Sequence, residues 1–305
     1  MNGVTPKISV ILPFRNGGDE FAPALRSILH QTYENWELLL CDDGSTDGSV
    51  ALARSIHDGR VEAWSDGRRK GLAARLNECV DRARGDFIAR MDADDVSYPD
   101  RFRRQANFLL SHPEIDLVGC RMLIFGEDGT PLGKRRLPLE HEPIVASPAL
   151  GIGLAHPTWM ARARWFRRHR YDPAALRYED AELLHRSHRS SRFANLPDLL
   201  YGYRELRGGF RKRFQGRLGR VRYLRSCSDA ADRGVFYRAA LAEAIKVVCD
   251  TGLAATSTRY AMLRLREERL SDAEADAWRQ VFAAASQTGS TMASPLAGVA
   301  ETEPA

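Results

Sequence analysis

The stretch GDFIARMDADDVSYPDRF, residues 85 to 102, decides the fold. Phe87 to Met91 reads as a short strand, and it runs straight into Asp92-Ala93-Asp94-Asp95. The same arrangement occurs upstream. There the strand pattern Trp36 to Cys41 (WELLLC) ends in Asp42-Asp43-Gly44-Ser45-Thr46-Asp47, a turn followed by a helix whose cap is expected at Ser45 or Asp47. Outward from these, Ile8 to Pro13 (ISVILP) reads as a first strand and Val61 to Trp64 as another. Phe21 to Gln31 carries Ala24, Leu25, Ile28 and Leu29 at helical spacing, and Leu72 to Ala83 is a second helix. Strand and helix alternate, which predicts an α/β domain with a mainly parallel central sheet flanked by helices. Ligands of such sheets bind at the carboxyl ends of strands. Both acidic clusters are therefore expected to line one crevice.

Further along, Leu117 to Ile124 reads as a strand, Gly126 to Gly129 as a hairpin turn, and Lys134 to Trp159 as irregular. A helix over Glu179 to His188 and a strand over Leu199 to Tyr203 complete a first unit, residues 1–209. A helical C-terminal region, residues 210–285, follows, with Tyr237 to Val248 and Thr256 to Glu268 its clearest segments. Residues 286–305 are rich in Ala, Ser, Thr and Pro and are expected to be a disordered tail.

The chain has 305 residues, 44% hydrophobic and 28% charged, which places it among globular proteins. Its five cysteines are scattered, with no CxxC pair, so neither a disulfide framework nor a zinc site is expected and a reducing cytoplasm fits. No signal peptide is read at the N-terminus, and no apolar run is long enough to span a bilayer. The formal charge of +5 is uneven. Between Arg204 and Arg225 the only acid is Glu205. That segment reads either as a solvated basic face or as a patch for phosphates, including those of anionic lipids. The expected location is thus cytoplasmic, with peripheral contact at the inner face of the membrane through this region. Nucleic acid is not an expected partner, because the pattern supplies no reading module.

Each acidic cluster admits two readings. In Asp92-Ala93-Asp94 the outer carboxylates can share one hard cation, Mg²⁺ or Mn²⁺, or can simply be turn residues. Asp43 can accept a hydrogen bond from a nucleobase imide or ribose hydroxyl, or can belong to an Asx turn. Glu179-Asp180 can complement a helix dipole or, facing the crevice, supply a general base.

The order of the pieces is more telling than any one of them. ISVILPFRN (8–16), SILHQTYENWELLLCDDGSTDGS (27–49), KGLAARLN (70–77), GDFIARMDADDVSYPDRF (85–102), HPTWMAR (156–162), YEDAEL (178–183) and LPDLLYGYR (196–204) follow one another. Over about residues 7 to 210 this series resembles the family 2 glycosyltransferases, inverting enzymes of the GT-A fold. The resemblance implies transfer of a single sugar from a nucleotide-diphosphate sugar, with a UDP-sugar the favoured donor, onto a glycan or lipid-linked glycan acceptor. It implies bacterial surface polysaccharide synthesis as the setting, and a divalent metal, Mn²⁺ or Mg²⁺, as cofactor. It places Pro13, Phe14 and Arg15 along the nucleotide, Asp43 at the base, and Lys70 and Gly71 at the donor. Asp92, Ala93 and Asp94 match the DxD motif, with Asp94 the direct metal ligand and Asp92 nearer the ribose or metal. Asp180 matches the catalytic base, Glu179 sits beside it, and His156 matches a position on the acceptor side. One departure is the absence of the histidine that often follows Tyr-Arg after the last strand. Here Tyr203-Arg204-Glu205-Leu206-Arg207 stands in its place, and Arg204 or Arg207 is the expected substitute at the diphosphate. That departure leaves a non-catalytic nucleotide-sugar-binding module as one alternative. A nucleotidyltransferase is another, although Ile8 to Gly18 lacks a Gly-rich basic phosphate loop. A glycosidase would use two carboxylates but would leave the DDGSTD segment without a role.

Overall fold

The computed structural model describes residues 5–146, 151–205 and 267–287, with isolated positions between 218 and 245. Its ten strands form one sheet in the order β10-β7-β6-β8-β4-β1-β2-β3, and β9 pairs with β6 and with β5. The N-terminal half is the expected parallel unit. β1 (Ile8–Phe14) lies between β2 (Trp36–Asp42) and β4 (Phe87–Arg90), and β3 (Val61–Trp64) pairs with β2. Every residue of β1, β2 and β4 is buried, as expected for strands covered on both faces. On one face pack α1 (Phe21–Leu29) and α2 (Ser49–Arg54), and on the other α3 (Leu72–Arg82).

The second half departs from strict alternation. β6 (Leu117–Phe125) and β9 (Phe193–Arg204) are long and parallel, while β7 (Pro131–Arg135), β8 (Met160–Arg162) and β10 (Glu267–Glu268) run antiparallel to their neighbours. β5 (Val96–Ser97) adds an antiparallel bridge to β9. The expected strand over Leu199 to Tyr203 is only the end of β9. Its earlier part contains Pro197 and Asp198, which break the apolar alternation that reveals a strand. The segment read as irregular holds the end of β7, the short α5 (His141–Val145) and a 3-10 turn over His156–Thr158. α4 (Arg101–Ser111) was not anticipated, although Phe102, Ala106 and Leu109 give it a buried helical stripe. α6 (Ala163–Arg168) and α7 (Glu179–Ser187) complete the catalytic half.

Two local expectations need correction. α2 starts at Ser49 with Gly48 at the cap position, so neither Ser45 nor Asp47 occupies it. Ser45 instead accepts the Asn16 N–H, and Asp47, one residue before the cap position, accepts the N–H of Ser49, the first residue of α2, at 3.0 Å. Glu267 and Glu268, expected to end a helix, are strand β10. An unpaired edge of β7 was available to them, and edge pairing satisfies backbone groups that a helix end leaves open. The rest of that helix, and that over 237–248 except isolated positions, lie outside the described residues, as does the tail beyond 287.

α8 (Asp272–Ser286) returns to the sheet. Ser271 and Glu274 form a capping box at its start, and Arg26 of α1 donates to the Ala285 carbonyl near its end. Trp278, fully buried, stacks against Phe125 with ring centroids 4.6 Å apart. Gly202 makes room for it, since a Cβ there would meet the indole at 2.2 Å.

Candidate active site

The parallel register brings the first two acidic segments together. Phe14 at the end of β1 is paired with Asp42 at the end of β2, and Asp43 N–H donates to the Phe14 carbonyl at 2.8 Å. Pro13 and Phe14 are buried at this edge, and Arg15 is exposed just beyond it. On the other side of β1, Met91 N–H donates to Ile11, so Asp92 leaves β4 next to the same edge.

Asp43 is held firmly. Its Oδ1 accepts N–H bonds from Lys70 (2.6 Å) and Gly71 (2.9 Å) and from Arg75 Nε (3.3 Å). Gly71 adopts φ +90°, which turns its amide toward Asp43 and which a side chain would resist. Lys70 Nζ pairs with Asp66 and Glu78, both at 2.7 Å. Arg75, buried completely, joins the same Asp66 and Glu78. Lys70 and Gly71 therefore meet Asp43 through backbone, and a buried arginine organises the loop.

The second cluster is Asp92, Asp94 and Asp95, whose ligand oxygens lie within 4.8 Å of one another. They are not equivalent. Asp95 is fully buried and accepts from Tyr201 OH and Arg204 N–H, both at 2.8 Å. Burial first, then Asp94 and Asp92, push its carboxyl well above the usual range. Asp92 faces Arg90, which donates from Nη1 to Oδ2 at 2.7 Å and from Nη2 to Oδ1. Asp94 receives no donor from another residue among the described residues. Burial, and then the charge of Asp92, raise it to about 6. An all-oxygen donor set with one carboxylate uncommitted suits a hard divalent cation.

Arg204 does not take the role expected at a diphosphate. Its guanidinium is buried, donating from Nε to the Asp94 carbonyl at 2.8 Å and from Nη1 to the Glu127 carbonyl at 3.0 Å. It lies over the Phe125 ring, the same ring that Trp278 packs against. Arg204 thus fixes the backbone of the acidic loop from behind. Arg207 lies outside the described residues.

The third acidic pair opens α7. Glu179 is buried, while Asp180 is half-buried and accepts the Ala181 N–H at 2.8 Å. Burial, then Asp180, raise Glu179 to about 7, with Asp92 pushing the same way and Arg90 opposing. Asp92 and Arg90 are thus close enough to α7 to act on its first residue. The phenol of Tyr171 is raised by burial and feels the charges of Arg90, Asp180, Glu179 and Asp92. Asn77 of α3 holds Tyr171 through both amide atoms, at 2.9 and 3.0 Å. His156 is buried, with Nε2 at 2.9 Å from Tyr171 OH and its ring against Trp159. Its ring supports the site from the interior. Burial holds His156 neutral, well below the usual histidine range.

The first two acidic segments thus share one sheet edge, and the first residue of the third feels the charges of Asp92 and Arg90. Residues 9–170 match the family model for glycosyl transferase family 2. The chain belongs to that family. EpsE of Bacillus subtilis (strain 168), which carries a glycosyltransferase name, is 40% identical over 215 residues, covering 68% of this chain and 76% of EpsE. A UDP-Glc:alpha-D-GlcNAc-diphosphoundecaprenol beta-1,3-glucosyltransferase of Escherichia coli, WfgD, is 33% identical over 34% of this chain and 42% of its own length. Among solved structures, the Pyrobaculum calidifontis mannosyltransferase PcManGT in complex with GDP-Man and Mn²⁺ superposes with a TM-score of 0.60 at 18% identity, covering 92% of this chain and 85% of that one. S. aureus TarS 1-349 with UDP-GlcNAc gives 0.54 at 16% identity, over 92% and 82%. The fold of this glycosyltransferase is GT-A. No helix among its described residues is long and apolar enough to cross a membrane.

Sequence reading had passed over Arg75, Arg90, Tyr171 and Tyr201 in this glycosyltransferase. Arg90 offered a signal, a charge inside an otherwise apolar strand. Tyr171 offered none, since it lies in a loop and its place depends on Asn77 of α3, distant in sequence.

Proposed function

We propose that this glycosyltransferase moves one sugar from a nucleotide-diphosphate sugar to an acceptor hydroxyl with inversion at the anomeric carbon. The supporting observation is that the strand register sets Asp43 beside the edge from which the Asp92–Asp95 carboxylate cluster emerges. Asp43, through its free carboxylate edge, and the chain from Pro13 to Arg15 line the nucleotide. Asp94, with Asp92 beside it, would hold Mn²⁺ or Mg²⁺, which when bound offsets negative charge on the diphosphate. Asp180, the less buried acid of its pair, removes the proton of the acceptor hydroxyl. The acceptor oxygen then bonds to the anomeric carbon as the bond to the diphosphate breaks, and the electron pair leaves with the diphosphate. Glu179, raised to about 7, carries less than a full negative charge near neutral pH. His156 and Tyr171 brace the acceptor side.

The names of relatives support bacterial surface polysaccharide synthesis as the setting, a UDP-sugar as donor, and a lipid-linked glycan as acceptor. Contact with the inner face of the membrane fits the basic segment after Arg204. It also fits Tyr237, Leu241 and Ile245, exposed apolar residues four apart in sequence. The test is a panel of nucleotide sugars assayed for transfer and for donor hydrolysis with and without Mn²⁺. Metal-dependent release of nucleotide diphosphate with an inverted product supports the proposal. Donor binding with neither transfer nor hydrolysis would establish the binding-module alternative instead.

A further inference from the structure

Arg90 is the last residue of β4, with 3% of its surface exposed. Burying a guanidinium this deeply is costly unless a partner is fixed beside it. The partner is Asp92, engaged at both carboxylate oxygens. Arg90 Nε is buried without any hydrogen-bond partner, so the side chain is placed for its charge toward Asp92 and not for a full set of donors. Its main-chain carbonyl is pinned by Arg101 Nη2 at 2.7 Å, and Arg101 also reaches the Pro157 and Trp159 carbonyls. The strand end that carries Arg90 is therefore locked between α4 and the 3-10 turn, and the guanidinium cannot readily swing away. Three carboxylates within 4.8 Å of one another repel without a cation, and in this fold Arg90 is the guanidinium that bonds directly to one of them by its side chain, while Arg204 meets the loop at the Asp94 carbonyl.

We infer that Arg90 is a positioning residue and internal counter-cation of the carboxylate rim, so that a divalent metal binds weakly alone and firmly only together with a nucleotide diphosphate. The inference rests on the reading of Asp92 and Asp94 as the cation site. A free divalent ion meets two obstacles: repulsion from a fixed guanidinium in a poorly hydrated wall, and a carboxylate already shared with that guanidinium. A metal carried by a diphosphate brings its own negative oxygens, which remove most of the repulsion and complete the metal's shell. Arg90 thereby ties metal uptake to donor uptake and keeps the rim neutral enough to stay folded between turnovers.

The test is titration of MnCl₂ into the full chain by calorimetry and by the paramagnetic resonance of free Mn²⁺, with and without saturating UDP or GDP. Wild type is expected to bind Mn²⁺ at least about tenfold more tightly with one of the diphosphates. Arg90→Gln, if folded by circular dichroism, is expected to bind Mn²⁺ alone about tenfold more tightly than wild type and to gain correspondingly less from the diphosphate. Arg90→Lys keeps the charge and is expected to stay within about threefold of wild type for Mn²⁺ alone. Arg90→Gln binding free Mn²⁺ no more tightly than wild type overturns the inference while leaving the cation site standing. A wild-type affinity that neither diphosphate improves overturns it too, and needs no variant to fold. If Mn²⁺ is not taken up under any condition, and Asp94→Ala behaves as wild type, the cation site itself is wrong and the inference goes with it.

Discussion

Replacing Trp278 by alanine tests whether the last described helix belongs to the catalytic body. The indole is fully buried between Phe125, Phe282 and Tyr98, with centroids 4.6, 5.6 and 5.9 Å away, and its Nε1–H donates to the Gly129 carbonyl at 2.8 Å. A buried tryptophan removes roughly 200 Å² from water, about 5 kcal/mol at 25 cal/mol per Å². The lost hydrogen bond adds about 1 kcal/mol, and collapse around Gly202 recovers part of the total. The expected destabilisation is about 3–5 kcal/mol, the usual range for large aromatic truncations in a core. For a chain of this size that corresponds to a fall in Tm on the order of 10 °C. The effect should also reach the site, because Phe125 lies under Arg204, and Arg204 holds the Asp94 carbonyl. Urea unfolding followed by tryptophan fluorescence and far-UV circular dichroism measures the first effect, and donor turnover of the folded variant the second. A loss below about 1 kcal/mol with unchanged turnover would show that α8 merely rests on the sheet.

Other substitutions probe the chemistry. Asp180→Asn should keep donor binding and lower turnover about 10²- to 10⁴-fold, the usual worth of general-base assistance; near-normal turnover would remove Asp180 from that role. Asp94→Ala should abolish the Mn²⁺ dependence of UDP or GDP binding, read by calorimetry. Glu179 titrates at about 7 in the folded chain against an ordinary 4.5, so the folded state holds its proton more tightly than the unfolded chain. Its ionisation therefore costs stability as pH rises from about 4.5 to about 7, on the order of 3 kcal/mol in all. Glu179→Gln should remove that slope from the stability profile, and a variant whose slope matched wild type would show that Glu179 is ionised in the native state.

Much of the site was legible because strand ends announce themselves. WELLLC and FIARM each stop at carboxylates, and a parallel sheet aligns such ends at one edge regardless of the residues between. The resemblance added Glu179 and Asp180, which no periodicity connects to the sheet. The helix over Leu72 to Ala83 and the strands before it were readable from spacing alone. By contrast, α8 gave no hint of its destination. Its apolar face matches β6 and β9 only because Gly129 and Gly202 leave space for Phe282 and Trp278.

The sequence by itself determined the alternation of strand and helix, and with it the placing of Asp43 and the Asp92–Asp95 loop at neighbouring strand ends. What each acid does there was a tertiary decision. Glu37 is a carboxylate like Asp92, yet it lies buried near the opposite end of its strand, satisfied by Ser9, Lys7 and Arg84. Asp95 became an anchor for Tyr201 and Arg204, Asp92 a partner of Arg90, and only Asp94 was left with its carboxylate uncommitted. A carboxylate's role depends on which donors and charges surround it within a few ångströms, and those neighbours come from strands and helices far apart in the chain.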